Sequence, residues 1–119
     1  MSDERSPGDL DVAYLTTTGR ITGSPHEIEI WFALEGENVY LLAGDRDRAD
    51  WVRNVMISDD VVLRIGDHKR VTIARVLEPG TDEDALARRL LLEKYAPRDN
   101  TDLTDWARTA LPVVVAWPS

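Results

Sequence analysis

The chain has 119 residues, 43% of them hydrophobic, no cysteine, and 22 acidic against 14 basic side chains, for a net charge of −8. This size and composition fit one globular domain with a core of its own, and without a thiol there is neither a disulfide nor a thiolate metal site. The negative field opposes nucleic-acid binding; no apolar run reaches membrane-spanning length and no signal-peptide pattern opens the chain, so a cytoplasmic protein without an integral membrane segment is expected.

Residues 1–10 are polar, carry Pro7 and Gly8, and are expected to form a flexible tail ahead of a single domain over 11–119. Val12 to Thr18 is β-branched and aromatic and reads as the first strand. A glycine-containing turn follows. Residues 26–34 then alternate, with Ile28, Ile30, Phe32 and Leu34 on one face and Glu27, Glu29, Trp31 and Ala33 on the other. Glu35-Gly36-Glu37-Asn38 is a hairpin signal, and Val39 to Ala43 continues as the third strand.

After the polar loop Gly44 to Arg48 the period changes. Trp51, Val52, Val55 and Met56 recur at helical spacing, which predicts a helix over Arg48 to Ser58 with Asp45 or Asp47 as its cap. Val61 to Ile65 and Val71 to Leu77 read as the fourth and fifth strands, joined through a turn beginning at Gly66-Asp67. Thr81 with Asp84 resembles a capping box and opens a helix to about Tyr95, with Leu86, Leu90 and Leu91 as its buried stripe. A short helix over Asp102 to Thr109 and a last strand over Val113 to Trp117 complete the order β-β-β-α-β-β-α-α-β. Six short strands without β–α alternation point away from a doubly wound sheet and toward a mainly β antiparallel barrel with three covering helices.

The most informative stretch is Leu15-Thr16-Thr17-Thr18-Gly19-Arg20-Ile21-Thr22-Gly23-Ser24-Pro25-His26. Two glycines let the backbone approach a ligand, and freed amides, hydroxyls and one guanidinium suit a phosphate or carboxylate. The alternative is a polar hairpin turn with a solvated arginine. Trp51 and Asn54 share a helix face and would set an aromatic wall and an amide beside a ring; the helix pattern alone favours a core Trp51 and a surface Asn54. Arg46, Arg48 and Arg53 read either as an anion channel near a helix start or as ordinary surface charge. Glu27 and Glu29 read as an acid pair or as two carboxylates on a solvent face. His26 either meets a ligand near the glycine turn or ends the strand, and neither His26 nor His68 has metal-ligand spacing, so no metal is expected.

Together, three segments are similar to the deazaflavin-dependent nitroreductase and quinone reductase family: the glycine turn, Ala49-Asp50-Trp51-Val52-Arg53-Asn54-Val55, and Trp106-Ala107-Arg108-Thr109-Ala110-Leu111-Pro112-Val113-Val114-Val115. The resemblance spans about residues 12–117. It implies a split β-barrel related to the flavin mononucleotide (FMN)-binding barrels, and reduced coenzyme F420, an 8-hydroxy-5-deazaflavin, as hydride donor. It further implies that Arg20, Thr22, Ala43, Gly44, Arg46, Trp51 and Asn54 hold the coenzyme, with its ring in a groove beside the second and third strands.

The chain departs from the family at Ile21, where a basic residue is frequent, at Ala49, where many members have proline, and at Pro97, Asn100 and Leu103, where the best-known members carry substrate-facing tyrosines. Expected acceptors are small electron-poor molecules: quinones, activated alkenes and nitro compounds. Tyr14, Tyr40 and His26 are the proton-donor candidates. An FMN-binding oxidoreductase of the same fold and a non-catalytic deazaflavin carrier are the competing readings. A homodimer is expected, because exposed apolar strand surface seeks cover.

Overall fold

The computed structural model describes residues 6–118. Its strands are β1 (Ala13–Thr18), β2 (Pro25–Ile30), β3 (Ala33–Glu35), β4 (Asn38–Ala43), β5 (Asp60–Ile65), β6 (His68–Val76) and β7 (Leu111–Ala116). Its helices are α1 (Asp50–Ile57), α2 (Asp82–Tyr95) and α3 (Thr104–Thr109), with short 3-10 turns at Pro7–Asp9, Arg46–Arg48 and Ala96–Arg98. All pairings are antiparallel, in the order β2-β1-β5-β6-β7-β4-β3. The expected mainly β barrel with helices is the fold observed, with seven strands rather than six.

The additional strand comes from the run 26–34. Its faces follow the expected alternation: Ile28, Ile30, Phe32 and Leu34 pack into the barrel interior, while Trp31 and Ala33 pack toward α2 and α3. Its hydrogen-bonding partner changes midway, however. β2 pairs with β1 as far as Ile30, and β3 pairs with β4 from Ala33. Trp31 and Phe32 thus carry the chain from one edge of the sheet to the other, and the sheet curls on itself. A backbone leaving its ladder must satisfy its polar groups elsewhere. The Phe32 N–H donates to the Tyr95 hydroxyl at 2.9 Å, and the Phe32 carbonyl accepts from Lys94 Nζ at 2.9 Å. The Tyr95 hydroxyl in turn donates to the Asp11 carbonyl at 2.7 Å.

β6 turns the opposite corner without a break. It pairs with β5 through Ile73 and with β7 from Ala74. Strands that serve two sheet halves in this way make the corners of a barrel.

Two main apolar clusters result. One fills the barrel with Leu15, Phe32, Leu41, Leu63, Ile65 and Val113 among others. The second lies between the outer face of β4 and β7 and the helices, with Tyr40, Leu42, Leu91, Tyr95 and Val114. Asp84, Ala87, Leu91 and Tyr95 form the buried stripe of α2; Leu86 and Leu90 flank it, so the expected stripe is rotated by part of a turn. The expected Thr81 cap forms: its side chain accepts from the Asp84 N–H at 3.1 Å. Asp84 does not complete the box; its carboxylate pairs with Arg88 at 3.1 Å. Neither Asp45 nor Asp47 caps α1, because a 3-10 turn at Arg46–Arg48 intervenes and Ala49 takes the cap position.

Of the expected tail, residues 1–5 lie outside the described residues. Pro7–Asp9 forms its short turn and Leu10 packs against the barrel core. Among the described residues no helix is long and apolar enough to cross a membrane.

Tyr95→Phe removes the only polar partner of the buried Phe32 N–H and leaves that donor unsatisfied. It should lower stability by about 1–3 kcal/mol, read as a lower urea midpoint at unchanged slope.

Candidate functional site

The turn after β1 is closed by two backbone bonds, Gly19 N–H to Ser24 O at 2.7 Å and Gly23 N–H to Gly19 O at 2.8 Å. Gly23 has φ +78°, a conformation that side chains rarely adopt. Gly19 is required for a different reason: a Cβ there would lie 2.7 Å from His26 Nε2 and 3.0 Å from the Ser24 carbonyl. The sequence reading assigned this glycine to the approach of a ligand; its space is taken by the protein's own imidazole. At the tip, the Ile21 and Thr22 N–H groups have no hydrogen-bond partner among the described residues.

The turn is fastened to α1 by one amide. Asn54 is only 4% exposed, which corrects its expected place on the helix surface. Its Nδ2 donates to Thr17 Oγ1 at 3.1 Å, and its Oδ1 accepts from the Arg20 backbone N–H at 3.2 Å and from Arg20 Nη1 at 3.0 Å. A buried amide satisfied on both ends fixes the helix and strand that it joins. The other arm of the guanidinium, Nη2, meets Asp50 Oδ1 at 3.2 Å. Arg20 is therefore not a solvated turn residue: two side chains of α1, Asn54 and Asp50, hold its guanidinium.

This assembly forms one end of a cleft of about 620 Å³, within the range of small-molecule sites. Thr17, Gly19–Thr22 and Asn54 make its polar end; Pro25, Ile28 and Trp51 supply apolar wall, and His26, Glu27 and Asp50 also line it.

A second cleft, of about 420 Å³, lies along the next length of β2 and is lined by Val12, Glu29, Ile30, Trp31, Leu42, Leu103 and Trp106. The Trp31 ring stacks on Tyr95 with centroids 4.3 Å apart and meets Trp106 edge-on at 5.5 Å. Rings locked in this way make a flat, rigid apolar surface. One carboxylate faces it: Glu29, which accepts from the Tyr14 hydroxyl at 3.1 Å. The free edge of β2 thus separates an anion-suited end from an aromatic one.

Arg20, Thr22, Trp51 and Asn54 line the first cleft, as does His26. Ala43, Gly44 and Arg46 line neither. Ala43 is buried with Val52 and Leu111, Gly44 lies beneath the Trp106 indole, and the Arg46 guanidinium donates to the Thr109 carbonyl, tying the loop after β4 to α3. Arg48 and Arg53 also lie outside both clefts, and Arg53 Nε is bonded to the Asp47 carbonyl.

Tyr14 lies outside the barrel beneath the Arg64 guanidinium, 4.3 Å from its ring centre; its hydrogen bond to Glu29, and then the Glu29 charge, raise its pKa. Tyr40 is buried under α2 and lines neither cleft. Burial, and then its bond to Glu83, push its hydroxyl up to about 12. Sequence reading did not single out Thr17 or Asp50, and it did not join Trp31, Leu103 and Trp106 into one wall. Asp50 stood in the quoted helix motif, but nothing local shows that it meets a residue thirty positions earlier. Among the described residues no group of three His, Cys, Asp or Glu side chains could hold a metal ion.

A family model for F420H(2)-dependent quinone reductase matches residues 4–118. Among solved structures the chain is similar to an F420-H2 dependent reductase, with 23% identity, TM-score 0.71 and coverage of 89% of this chain and 93% of that one. It is also similar to a chain described as a domain-swapped dimer, with 23% identity, TM-score 0.71 and coverage of 89% and 79%. The heme storage protein HutZ from Vibrio cholerae shares the fold at 13% identity, TM-score 0.73 and coverage of 92% and 82%.

Asn54→Ala leaves the Thr17 hydroxyl and the Arg20 N–H without their partner. It should lower stability by about 1–3 kcal/mol and free the Arg20 guanidinium, read as narrowing and loss of dispersion of its side-chain N–H signal in NMR.

Proposed function

The chain belongs to the F420H(2)-dependent quinone reductase family, a family of oxidoreductases, and we propose that the two clefts beside β2 together hold reduced coenzyme F420 and present it to a small electron-poor acceptor. The observation that carries this reading is the arrangement along one free strand edge: a fixed guanidinium with two unbonded amides at one end, a locked aromatic surface at the other. The coenzyme, when bound, supplies a hydride for a quinone, an activated alkene or a nitro compound.

The donor set fits the anionic arm of that coenzyme. Arg20 and the Ile21 and Thr22 amides bind phosphoryl oxygens, because charge-assisted bonds from pre-placed donors lose little entropy on binding. Thr22 and Trp51 flank them, and Asn54 keeps Arg20 in place. Trp31, Ile30, Leu42 and Trp106 orient a planar ring and exclude water from one of its faces. Ala43, Gly44 and Arg46 act from behind this wall: Gly44 packs against Trp106 and Arg46 anchors the loop to α3. Glu29, held by Tyr14, is the polar group beside that surface. His26 faces the anion end and serves there as a hydrogen-bonding group.

A titration decides between F420, FMN and neither. Wild-type protein should bind F420 in the micromolar range or better and consume the reduced form in the presence of a quinone. Arg20→Ala should weaken binding by about tenfold or more, and Trp106→Ala should slow turnover. Equal affinity of Arg20→Ala and wild type sinks the assignment of the anion end. Tight FMN binding in its place favours the flavin reading, and tight F420 binding without turnover over a broad acceptor panel favours a carrier.

A homodimer and a cytoplasmic location are part of the same proposal. Supporting the dimer, the outer face of β1, β5 and β6 leaves Val71 83% and Ile73 54% exposed, with Val62 paired to Val71. Light scattering should give twice the chain mass, and Val71→Lys should return it to one.

A further inference from the structure

Arg20 offers two arms to its surroundings, and their partners differ in kind. Nη1 meets Asn54 Oδ1, an atom of a buried side chain pinned by Thr17. Nη2 meets Asp50 Oδ1, on a side chain that is 85% exposed. Asp50 is the first residue of α1 and lines the same cleft as Arg20, Ile21 and Thr22. The one cation at the anion end is therefore already covered by a carboxylate of the protein.

We propose that Asp50 is a built-in stand-in for the ligand's anionic group: it occupies Arg20 Nη2 in the free protein and is displaced when a phosphoryl group arrives. This rests on the reading of the first cleft as the anion end.

The exchange is favourable on physical grounds. An exposed ion pair contributes little, since both ions remain hydrated and the side chain gives up freedom to hold it. A phosphate that fills the cleft brings acceptors for Arg20 and for the Ile21 and Thr22 amides of the same turn, which the single Asp50 carboxylate does not bond. Nη1 and the Arg20 backbone need not move, because Asn54 holds them. Asp50 thus keeps the guanidinium aimed into the cleft when no ligand is present, and sets a threshold that a weak anion does not cross. The apparent dissociation constant is the intrinsic one divided by the fraction of protein in which Arg20 Nη2 is free.

The test is a double-mutant cycle on Arg20→Ala and Asp50→Asn, with Asp50→Ser as a second form of the helix-start change and Asp45→Asn as a control for net charge. F420 and inorganic pyrophosphate are each titrated, by coenzyme fluorescence and by the Ile21 and Thr22 amide shifts. Asp50→Asn should bind both ligands about two- to fivefold more tightly than wild type. Asp45→Asn should bind as wild type does, and the gain should vanish on the Arg20→Ala background. Weaker or unchanged binding by Asp50→Asn overturns the proposal, as does a gain that persists without Arg20 or is matched by Asp45→Asn. If pyrophosphate shows the gain while F420 binds none of the proteins, the exchange stands and the coenzyme assignment falls. If F420 binds wild type and Asp50→Asn alike, the assignment stands and the exchange falls.

Discussion

Between Ile30 and Ala33 the chain crosses from one edge of its sheet to the other, and for two residues it has no strand beside it. Helix α2 takes the place of that strand. Tyr95 receives the Phe32 N–H, Lys94 donates to the Phe32 carbonyl, and the ammonium also lies 3.6 Å above the Phe32 ring centre. Burial first, and the Arg98 charge second, push the Lys94 ammonium down to about 8. The same tyrosine stacks on Trp31. Closing the barrel at this corner and building the aromatic wall of the second cleft are thus one event, because the residues that satisfy the stranded backbone also lock the ring that lines the cleft.

The crossing also explains why β2 keeps a free edge. Among the described residues its only ladder partner is β1, since the run that would pair on its other side begins with β3, beyond the corner. An unpaired edge is ordinarily a liability that proteins cover or blunt. Here the edge runs past two clefts, one closed by the glycine turn and α1, the other by α3. A barrel sealed all round would have a stronger ladder and no groove of this kind.

In an acidic chain, an anion-suited cleft needs local charge that the overall field does not supply. Arg20 provides it through rigidity rather than number. Asn54 holds the guanidinium, and Ile21 and Thr22 of the same turn line the same cleft. Arg46, Arg48 and Arg53 sit nearby but outside both clefts, so a count of cations near the helix start overstates the positive character of the site. Asp50 reduces it further by pairing with Arg20 Nη2.

What the amino-acid order determined by itself was whatever depends on neighbours along the chain. The alternation of 26–34 sorted its side chains to the correct faces, Thr81 capped α2 as its spacing indicates, and the glycine turn, the Trp51–Asn54 helix and the closing segment together identified the family. Tertiary structure alone decided where those pieces meet. Asn54 looks like a surface amide until Thr17 and Arg20 are folded against it. Asp50 looks like solvated charge until Arg20 reaches it. The continuous strand becomes two because its partner changes at Trp31; Tyr40 lies under α2 and lines neither cleft, and Tyr14 meets the second cleft only through its bond to Glu29. Period and propensity report which way a side chain points; the identity of what it touches is set by contacts far apart in sequence, which no local pattern encodes.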